Sequence, residues 1–293
     1  MQKKMRFYLC RVIAITVLAI PAAVWGQTAP TTAEDFVNRG REYWKKGDLD
    51  RAISDFNQAI RLNNNYDFAY VLRGKVYFDK RDLDRAIADF DQAIKLSPNY
   101  GQAYEGRGDA YLEKKDYDRA IADYTKAIQL DPKNEYAYNS RGNAYREKGD
   151  FDRAIADAEA ALRIKPNFTP AINNLKNTYS SRGYAYADKE DFDRAIADFT
   201  QAIRLDPNDG FNYYSRGNMY MEKHDADRAI ADFTQAIRLA PNNSSGYFSR
   251  GIVYAIKGDF DRAIADWEAV LRLDPNHTQA KNNIERARQQ RGR

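Results

Sequence analysis

Cysteine and histidine are scarce in this chain. Cys10 is the only cysteine, and His224 and His277 are the only histidines. A chain with one cysteine cannot close an intramolecular disulfide or build a thiolate metal site. Neither histidine has a partner at the spacing of a metal site or a catalytic triad, and both fall in predicted turns or repeat junctions. The sequence therefore indicates a protein without metal, cofactor or catalytic residues, and we predict that it is not an enzyme.

Long apolar runs are equally scarce, and the one present stands near the N-terminus. Lys3, Lys4 and Arg6 precede an apolar stretch over residues 12–20, and small residues follow up to Gly26. This order is typical of a secretory signal peptide, and residues 12–25 are too few for a membrane span, which takes about 20. We predict a signal peptide over 1–26, a short linker over 27–32, and an exported chain, periplasmic, in the cell envelope or secreted, without a membrane span after cleavage.

An excess of one charge is also missing. The formal charge of the whole chain is +4, and residues 1–26 hold four of the basic side chains and no acidic one. The remaining chain has 42 Lys and Arg against 42 Asp and Glu. Nucleic-acid binding needs a clustered positive face, so the composition gives no support to it. The one local bias is in the last 16 residues, where five basic side chains stand against one acid.

The abundant feature is a repeat. The motif Arg-Gly-x-x-Tyr occurs seven times, and its glycines are 34 residues apart except for one step of 41, between Gly142 and Gly183. The units begin at residues 33, 67, 101, 135, 176, 210 and 244. A unit this short cannot bury its own apolar face, so copies must stack on one another into a solenoid.

Each unit is predicted to be a helical hairpin. In the third unit, apolar residues follow helical spacing in two blocks on either side of a polar turn at 114–116. The residues that define the pattern are Tyr104, Gly108, Tyr111, Ala120, Tyr124 and Pro132. This pattern resembles the tetratricopeptide repeat over residues 33–277. The resemblance implies an all-α, right-handed α-solenoid of seven hairpins, with units 1–4 over 33–168, units 5–7 over 176–277 and a capping helix over 278–293.

Three departures from the family pattern stand out. Asn64 replaces the proline of the first unit, Ala158 replaces the aromatic residue of the fourth, and arginine replaces leucine before every glycine. An aspartate follows each of these arginines by sixteen residues, as Asp123 follows Arg107. In an antiparallel hairpin the two lie at the same height, so we predict a partly shielded salt bridge in each unit. The alternative is a stripe of seven arginines that binds anions.

The run Asp-x-Asp-Arg-Ala-Ile, as in residues 116–121, alternates acids as a calcium loop does. It lacks the central glycine and the terminal glutamate of such a loop. We interpret these acids as caps of the second helix of each hairpin.

The extra seven residues, 169–175, resemble the start of the C-terminal helix. The stretch that ends the fourth unit and runs through them to INNL, at residues 172–175, matches the stretch that ends the last unit and runs to KNNI, at residues 281–284. We predict that 169–175 are the relic of a capping helix that merged with the first helix of unit five. Thr169 is the predicted N-cap, and a helix from about 170 to 187 is expected to project by two turns, about 10 Å.

In the resembled family, the first helices of the hairpins line a concave groove that binds peptides or helices. The places that face it, here called the groove positions, vary between units while the core repeats. The candidate binding residues at these positions are Phe68, Val71, Lys75, Phe78, Tyr136, Asn139, Asn143, Arg146, Tyr184, Phe211, Tyr214, Asn218, Met221, Phe248 and Ile252. The resemblance implies a scaffold that holds a peptide or helix of a protein partner. Aromatic rings beside amides also suit a saccharide, which is the alternative ligand.

Overall fold

The computed structural model describes residues 30–291. The predicted signal peptide lies outside the described residues, as does the first half of the predicted linker, 27–29. The chain divides into two compact units, residues 1–64 and 65–293. Within residues 30–291 every regular element is a helix, and the structure is all-α. None of these helices combines the length and the apolar content that crossing a membrane requires.

The first unit contains one hairpin, α1 (Ala33–Lys45) and α2 (Leu49–Leu62). The second unit contains six hairpins and a final helix. Its helices are α3 (Asp67–Asp79), α4 (Leu83–Leu96), α5 (Gly101–Glu113), α6 (Tyr117–Leu130), α7 (Glu135–Glu147), α8 (Phe151–Ile164), α9 (Thr169–Ala187), α10 (Phe192–Leu205), α11 (Gly210–Glu222), α12 (Ala226–Leu239), α13 (Ser244–Ile256), α14 (Phe260–Leu273) and α15 (Thr278–Arg291). Consecutive helices of this unit pack on one another, which is the arrangement of an α-solenoid.

A tight turn and a capping aspartate start the second helix of every hairpin. The carboxylate of Asp116 accepts a hydrogen bond from the backbone N–H of Arg119 at 3.2 Å. The same contact recurs at Asp48, Asp82, Asp150, Asp191, Asp225 and Asp259. The residue before each cap has a positive φ, which is 59° at His224 and 79° at Gly149. The capping interpretation of the Asp-x-Asp run is confirmed, and His224 is a turn residue.

Glycine and an aromatic ring set the distance between the two helices of a hairpin. A Cβ atom on Gly108 would lie 2.9 Å from a ring carbon of Tyr124, and one on Gly217 would lie 2.9 Å from a ring carbon of Phe233. Real Cβ contacts are not that short, so a side chain there would force the helices apart. The rings are fully buried, and their contact with the glycines explains why both residue types recur.

The arginine of the motif binds the aspartate sixteen residues later in all seven hairpins. Arg107 donates from Nε and Nη2 to the two carboxylate oxygens of Asp123, at 2.8 and 2.7 Å. The same two-pronged contact joins Arg39 to Asp55, Arg73 to Asp89, Arg141 to Asp157, Arg182 to Asp198, Arg216 to Asp232 and Arg250 to Asp266. The predicted salt bridge is confirmed, and a free anion-binding stripe of arginines is not formed.

Two tyrosines of the motif stack on this arginine. The guanidinium of Arg216 lies 5.7 Å from the ring centre of Tyr213 and 5.9 Å from that of Tyr220. Cation–π contact adds to the ion pair and shields it from water. The Asp232 side chain keeps 8% of its accessible surface, and hydrogen bonding to Asp232 raises the pKa of Arg216. The sequence Tyr-x-x-Arg-Gly-x-x-Tyr thus encodes one packed charged group.

The third nitrogen of the arginine reaches the preceding hairpin. Arg107 Nη1 donates to Asp91 at 2.6 Å. Thr125, Thr200 and Thr234 accept the equivalent bond from Arg141, Arg216 and Arg250. One side chain therefore joins the two helices of its own hairpin and the hairpin before it.

Helix α9 has the predicted extra length. It contains 19 residues, against 13 in the first helices of the other hairpins, and is longer by about 9 Å at the usual rise per residue. Its first 14 residues share buried positions with α15. Ala171 corresponds to Ala280, Leu175 to Ile284 and Thr178 to Ala287, while α9 also buries Asn174. Arg182 and Arg291, at the same place in each, bind the aspartate thirty residues earlier, Asp152 and Asp261.

Two details of the α9 prediction are wrong. The N-cap is Phe168, not Thr169, and Thr169 is the first helical residue. The first two turns are not a free projection, because Ala171 and Leu175 are buried and Phe168 packs with Ala161 and Ala171. The helix is shared: its first part packs on α8 as a cap would, and its last part pairs with α10.

Asn174 fills the space that the missing aromatic ring of the fourth hairpin leaves. A Cβ on Gly142 would meet Asn174 Nδ2 at 3.5 Å, where the other hairpins of the second unit present a ring. Asn174 Nδ2 donates to the backbone oxygen of Asn139 at 3.0 Å, while its Oδ1 is buried without a hydrogen bond. The small Ala158 and the larger Asn174 are therefore complementary.

The buried ion pair makes a testable prediction for stability. Arg216→Met leaves the Asp232 carboxylate buried without its partner, so we expect a loss of about 3 kcal/mol of unfolding free energy. Arg228→Met is the matched control, because Arg228 pairs with Asp225 at 2.5 Å but is 63% exposed, and little change is expected. Urea unfolding followed by circular dichroism measures both, and equal losses would contradict the assignment.

The complementarity of Ala158 and Asn174 predicts coupling between the two sites. Ala158→Phe alone overpacks the site and is expected to destabilise the chain by about 1–3 kcal/mol. Adding Asn174→Ser, which supplies the small residue that the ring needs, is expected to restore most of the loss. A double-mutant cycle measured by thermal unfolding tests this. Additive effects of the two changes would contradict the shared space.

The capping aspartates predict the direction of acid unfolding. Hydrogen bonds from the side chain and backbone N–H of Arg119 lower the pKa of Asp116 below its ordinary 3.8, and Asp82, Asp191 and Asp225 are lowered in the same way. A lowered folded-state pKa contributes stability above the unfolded value, which is lost as pH falls through the folded value. The thermal midpoint should therefore fall below about pH 4, and Asp116→Asn should show a smaller fall. A fall of the same size in the variant would refute this origin.

Candidate functional site

The groove positions of the second unit lie on α3, α5, α7, α9, α11 and α13, and they differ widely in exposure. Phe211 and Tyr136 are 60% and 56% exposed, and Tyr184 is 37% exposed. Val71 is fully buried. Its prediction as a binding residue is therefore wrong, since its side chain is part of the core between helices.

Tyr184, Phe211 and Tyr214 form a continuous surface, here called the aromatic patch. The ring centres of Tyr184 and Phe211 are 6.0 Å apart. Tyr184 is held by a hydrogen bond with Ser215 and packs edge-on against Phe199, and Tyr214 packs on Phe233 at 5.7 Å. Tyr184 and Tyr214 thus rest on buried phenylalanines, and the exposed ring of Phe211 lies beside Tyr184.

The aromatic patch borders a cleft of about 410 Å³ between α11, α12 and α13. Phe211 and Tyr214 line one side, and Ile237 and Leu239 of α12 contribute further apolar surface. Met221, another candidate, packs against the Phe233 cluster beside the patch.

The amides of the fourth hairpin are engaged within the protein. Asn139 accepts hydrogen bonds from Asn174, and Asn143 Oδ1 accepts from Arg146 Nη2 at 2.6 Å. Arg146 also binds Glu147 at 2.7 Å. Tyr136 packs edge-on against Phe168, with ring centres 4.8 Å apart. The side-chain oxygens of both asparagines thus already accept hydrogen bonds within the protein, while Arg146 Nε is buried without a hydrogen bond.

An acidic pair lies at the groove positions of the third unit. Burial raises the pKa of Asp109, whose carboxylate accepts a hydrogen bond of 2.6 Å from the Tyr124 hydroxyl. Burial also raises the pKa of Glu105, which accepts from Asn134 Nδ2 at 2.6 Å. The charge of Lys75 opposes the shift at both acids. Phe68 and Phe78, further candidates on α3, are half-buried.

The last hairpin is apolar at its groove positions. The ring of Phe248 lies 4.9 Å from that of His277, and Ile252 packs against the cluster beneath α15. The N–H of Ala280 donates to His277 Nδ1, so this histidine helps to start α15. Sequence reasoning missed Ile256, which is 71% exposed next to these residues. A comparison of the residue at this place of the repeat in all seven units would have identified Ile256 from the sequence.

The remaining candidate, Asn218, is half-buried on α11 one turn after Tyr214. Within residues 30–291, no group of three or more metal-ligating side chains is brought together. The candidate site is an extended surface with apolar patches.

Comparisons with known proteins agree with this arrangement. Models described as tetratricopeptide repeat match residues 71–135, 135–168, 177–209 and 214–278, and one described as TPR repeat matches 40–80. A search of curated proteins finds no match.

Solved structures share the fold. The C-terminal part of a TPR repeat-containing protein from Cytophaga hutchinsonii is 21% identical and has a TM-score of 0.67, with 85% of this chain and 99% of that chain covered. A tetratricopeptide repeat protein from Parabacteroides merdae is 20% identical, with a TM-score of 0.53 and coverage of 87% and 98%. MamA protein is 27% identical over 60% of this chain and 92% of its own, with a TM-score of 0.51.

The matched segments run from residue 40 to 278 with short gaps, and their period is the one that the Arg-Gly-x-x-Tyr motif follows. The chain belongs to the tetratricopeptide repeat family.

Proposed function

We propose that the chain is an exported, non-enzymatic scaffold that holds a peptide or helix of a partner protein at the groove positions of its second unit. The tetratricopeptide repeat fold supports a role in protein–protein interaction in general. The observation that carries the finer proposal is the aromatic patch. Exposed aromatic surface that is held in place by the core is typical of interaction sites.

The aromatic patch is suited to binding because its rings are already fixed. Tyr184 and Tyr214 each pack on a buried phenylalanine, so little side-chain entropy is lost when a ligand covers them. Phe211 offers the largest exposed ring surface, and the neighbouring cleft of about 410 Å³ has room for an apolar side chain. A partner segment with bulky apolar residues fits this surface.

Two of the polar candidates form hydrogen bonds within the protein, which reduces the part that they can play in binding a ligand. Asn139 and Asn143 already bond within the protein, so the fourth hairpin supports a ligand by shape more than by new hydrogen bonds. Asn218 lies beside the aromatic patch and is the amide best placed to bond a ligand backbone. A saccharide needs several free hydrogen-bonding groups around a ring, and the geometry favours the peptide.

An exported location rests on the sequence of residues 1–26, which has the order of a signal peptide. We therefore place the scaffold in a cell-envelope assembly or outside the cell. The partner would then come from the same compartment.

Removal of the aromatic patch tests the proposal. Phe211→Ser combined with Tyr214→Ser is expected to reduce capture of envelope proteins by at least about tenfold, because each buried ring is worth about 1 kcal/mol or more. Leu273→Ser is the control, because Leu273 is 41% exposed but lies at the end of α14, away from the groove positions. Quantitative mass spectrometry of affinity-captured proteins measures both.

Unchanged capture by the double variant would overturn the proposal. Binding to a glycan array that depends on the same two rings would instead assign the surface to saccharides.

A further inference from the structure

The last hairpin exposes an isoleucine where the others carry a charge. Ile256 stands at the thirteenth place of the seventh unit. The same place in the first six units holds Lys45, Asp79, Glu113, Glu147, Asp188 and Glu222. Six hairpins form with a charged residue there, so hairpin packing does not require the isoleucine. At 71% exposure it is the most exposed large apolar side chain in the described part of the chain.

Ile256 borders a cleft of about 450 Å³ between α13, α14 and α15. Ile252 and Trp267 supply further apolar surface, and the indole N–H of Trp267 is held by the backbone oxygen of Phe248 at 3.3 Å. Helix α15 contributes Arg286 and Gln290, which are one turn apart. The cleft therefore combines an apolar part with a cationic, hydrogen-bonding part.

Arg286 brings an unneutralised charge to the cleft. The other arginines in the second half of α15 are paired, Arg288 with Glu268 at 3.2 Å and Arg291 with Asp261 at 2.5 Å. Within residues 30–291, Arg286 has neither an ion pair nor a hydrogen bond to another side chain. Arg286 lines the cleft, so its positive charge at the rim attracts acidic groups.

We propose that this cleft binds a partner segment that carries a bulky apolar side chain close to a carboxylate. The apolar side chain lies on Ile252, Ile256 and Trp267, and the carboxylate receives hydrogen bonds from the guanidinium of Arg286. A basic segment is repelled by the same rim. This proposal rests on the proposed function, and it identifies the chemistry of the partner at the end of the groove next to α15.

Fluorescein-labelled peptides with one leucine or phenylalanine flanked by glutamates are the probes, and the same peptides with lysines are their counterparts. Fluorescence anisotropy is expected to show at least about tenfold tighter binding of the acidic set. Ile256→Glu, which restores a charge of the kind found in the other units, and Arg286→Glu should each weaken this binding about tenfold. Lys281→Glu, with the same charge change on the same helix but outside the cleft, should leave it unchanged.

Charge reversal completes the test. The lysine peptides should bind Arg286→Glu more tightly than they bind the unaltered chain. Because Ile256 and Arg286 are exposed, neither variant should lower the thermal midpoint, which is measured alongside.

Three outcomes would overturn this proposal. The first is equal binding of the acidic and basic peptides, and the second is equal weakening of binding by Lys281→Glu and Arg286→Glu. The third is self-association of the chain in sedimentation that Ile256→Glu abolishes, because a second copy of the chain would then occupy the cleft. Failure here is distinguishable from failure of the proposed function. If capture from envelope extracts depends on Phe211 but Ile256→Glu captures the same proteins, only the present proposal fails.

Discussion

The pairing of an arginine with an aspartate inside each hairpin is the contact on which the rest of the structure depends. It joins the two helices at a point where glycine lets them approach, and the third guanidinium nitrogen binds the preceding hairpin. Taking two charges out of water is costly, so the pair is a poor source of net stability compared with an apolar contact. Its effect is geometric. A planar guanidinium binds both oxygens of the aspartate carboxylate in one orientation only, which fixes the rotation of one helix against the other.

The junction at α9 shows how strongly this contact constrains the chain. Seven extra residues, close to two turns, separate the cap-like start of the helix from the hairpin that it opens. Arg182 keeps its own aspartate, Asp198, as every other hairpin does. Its third nitrogen, however, binds Asp152, just as the equivalent residue Arg291 of α15 binds the equivalent aspartate, Asp261. The same side chain therefore makes both the contact of a hairpin and the contact that Arg291 makes in α15.

Most of the fold could be predicted from the sequence because the period is expressed in every copy. The hairpins, the salt bridges and the long α9 follow from spacing alone. The groove positions were harder to predict. Choosing the same places in every unit assumes that the first helix of each hairpin presents the same face to the groove. Val71 is turned into the core, and Asn139 is bonded by Asn174, a residue that the insertion brings into the fourth hairpin. Asn174 belongs to the seven-residue insertion, so an alignment of single units does not contain its contact with Asn139.

The constant contacts explain why the remaining positions are free to vary. Since glycine, arginine, aspartate and the tyrosines settle the packing of each hairpin, the other first-helix positions can change, as from Asn218 to Ile252 at the ninth place, without altering the fold. Native-state hydrogen exchange of an Arg141→Met chain, read by mass spectrometry, tests this account most directly. The account predicts faster exchange in α7 and α8 and in the adjoining α6, with α11–α14 unchanged. Exchange that rises equally in all helices, or in none, would contradict it.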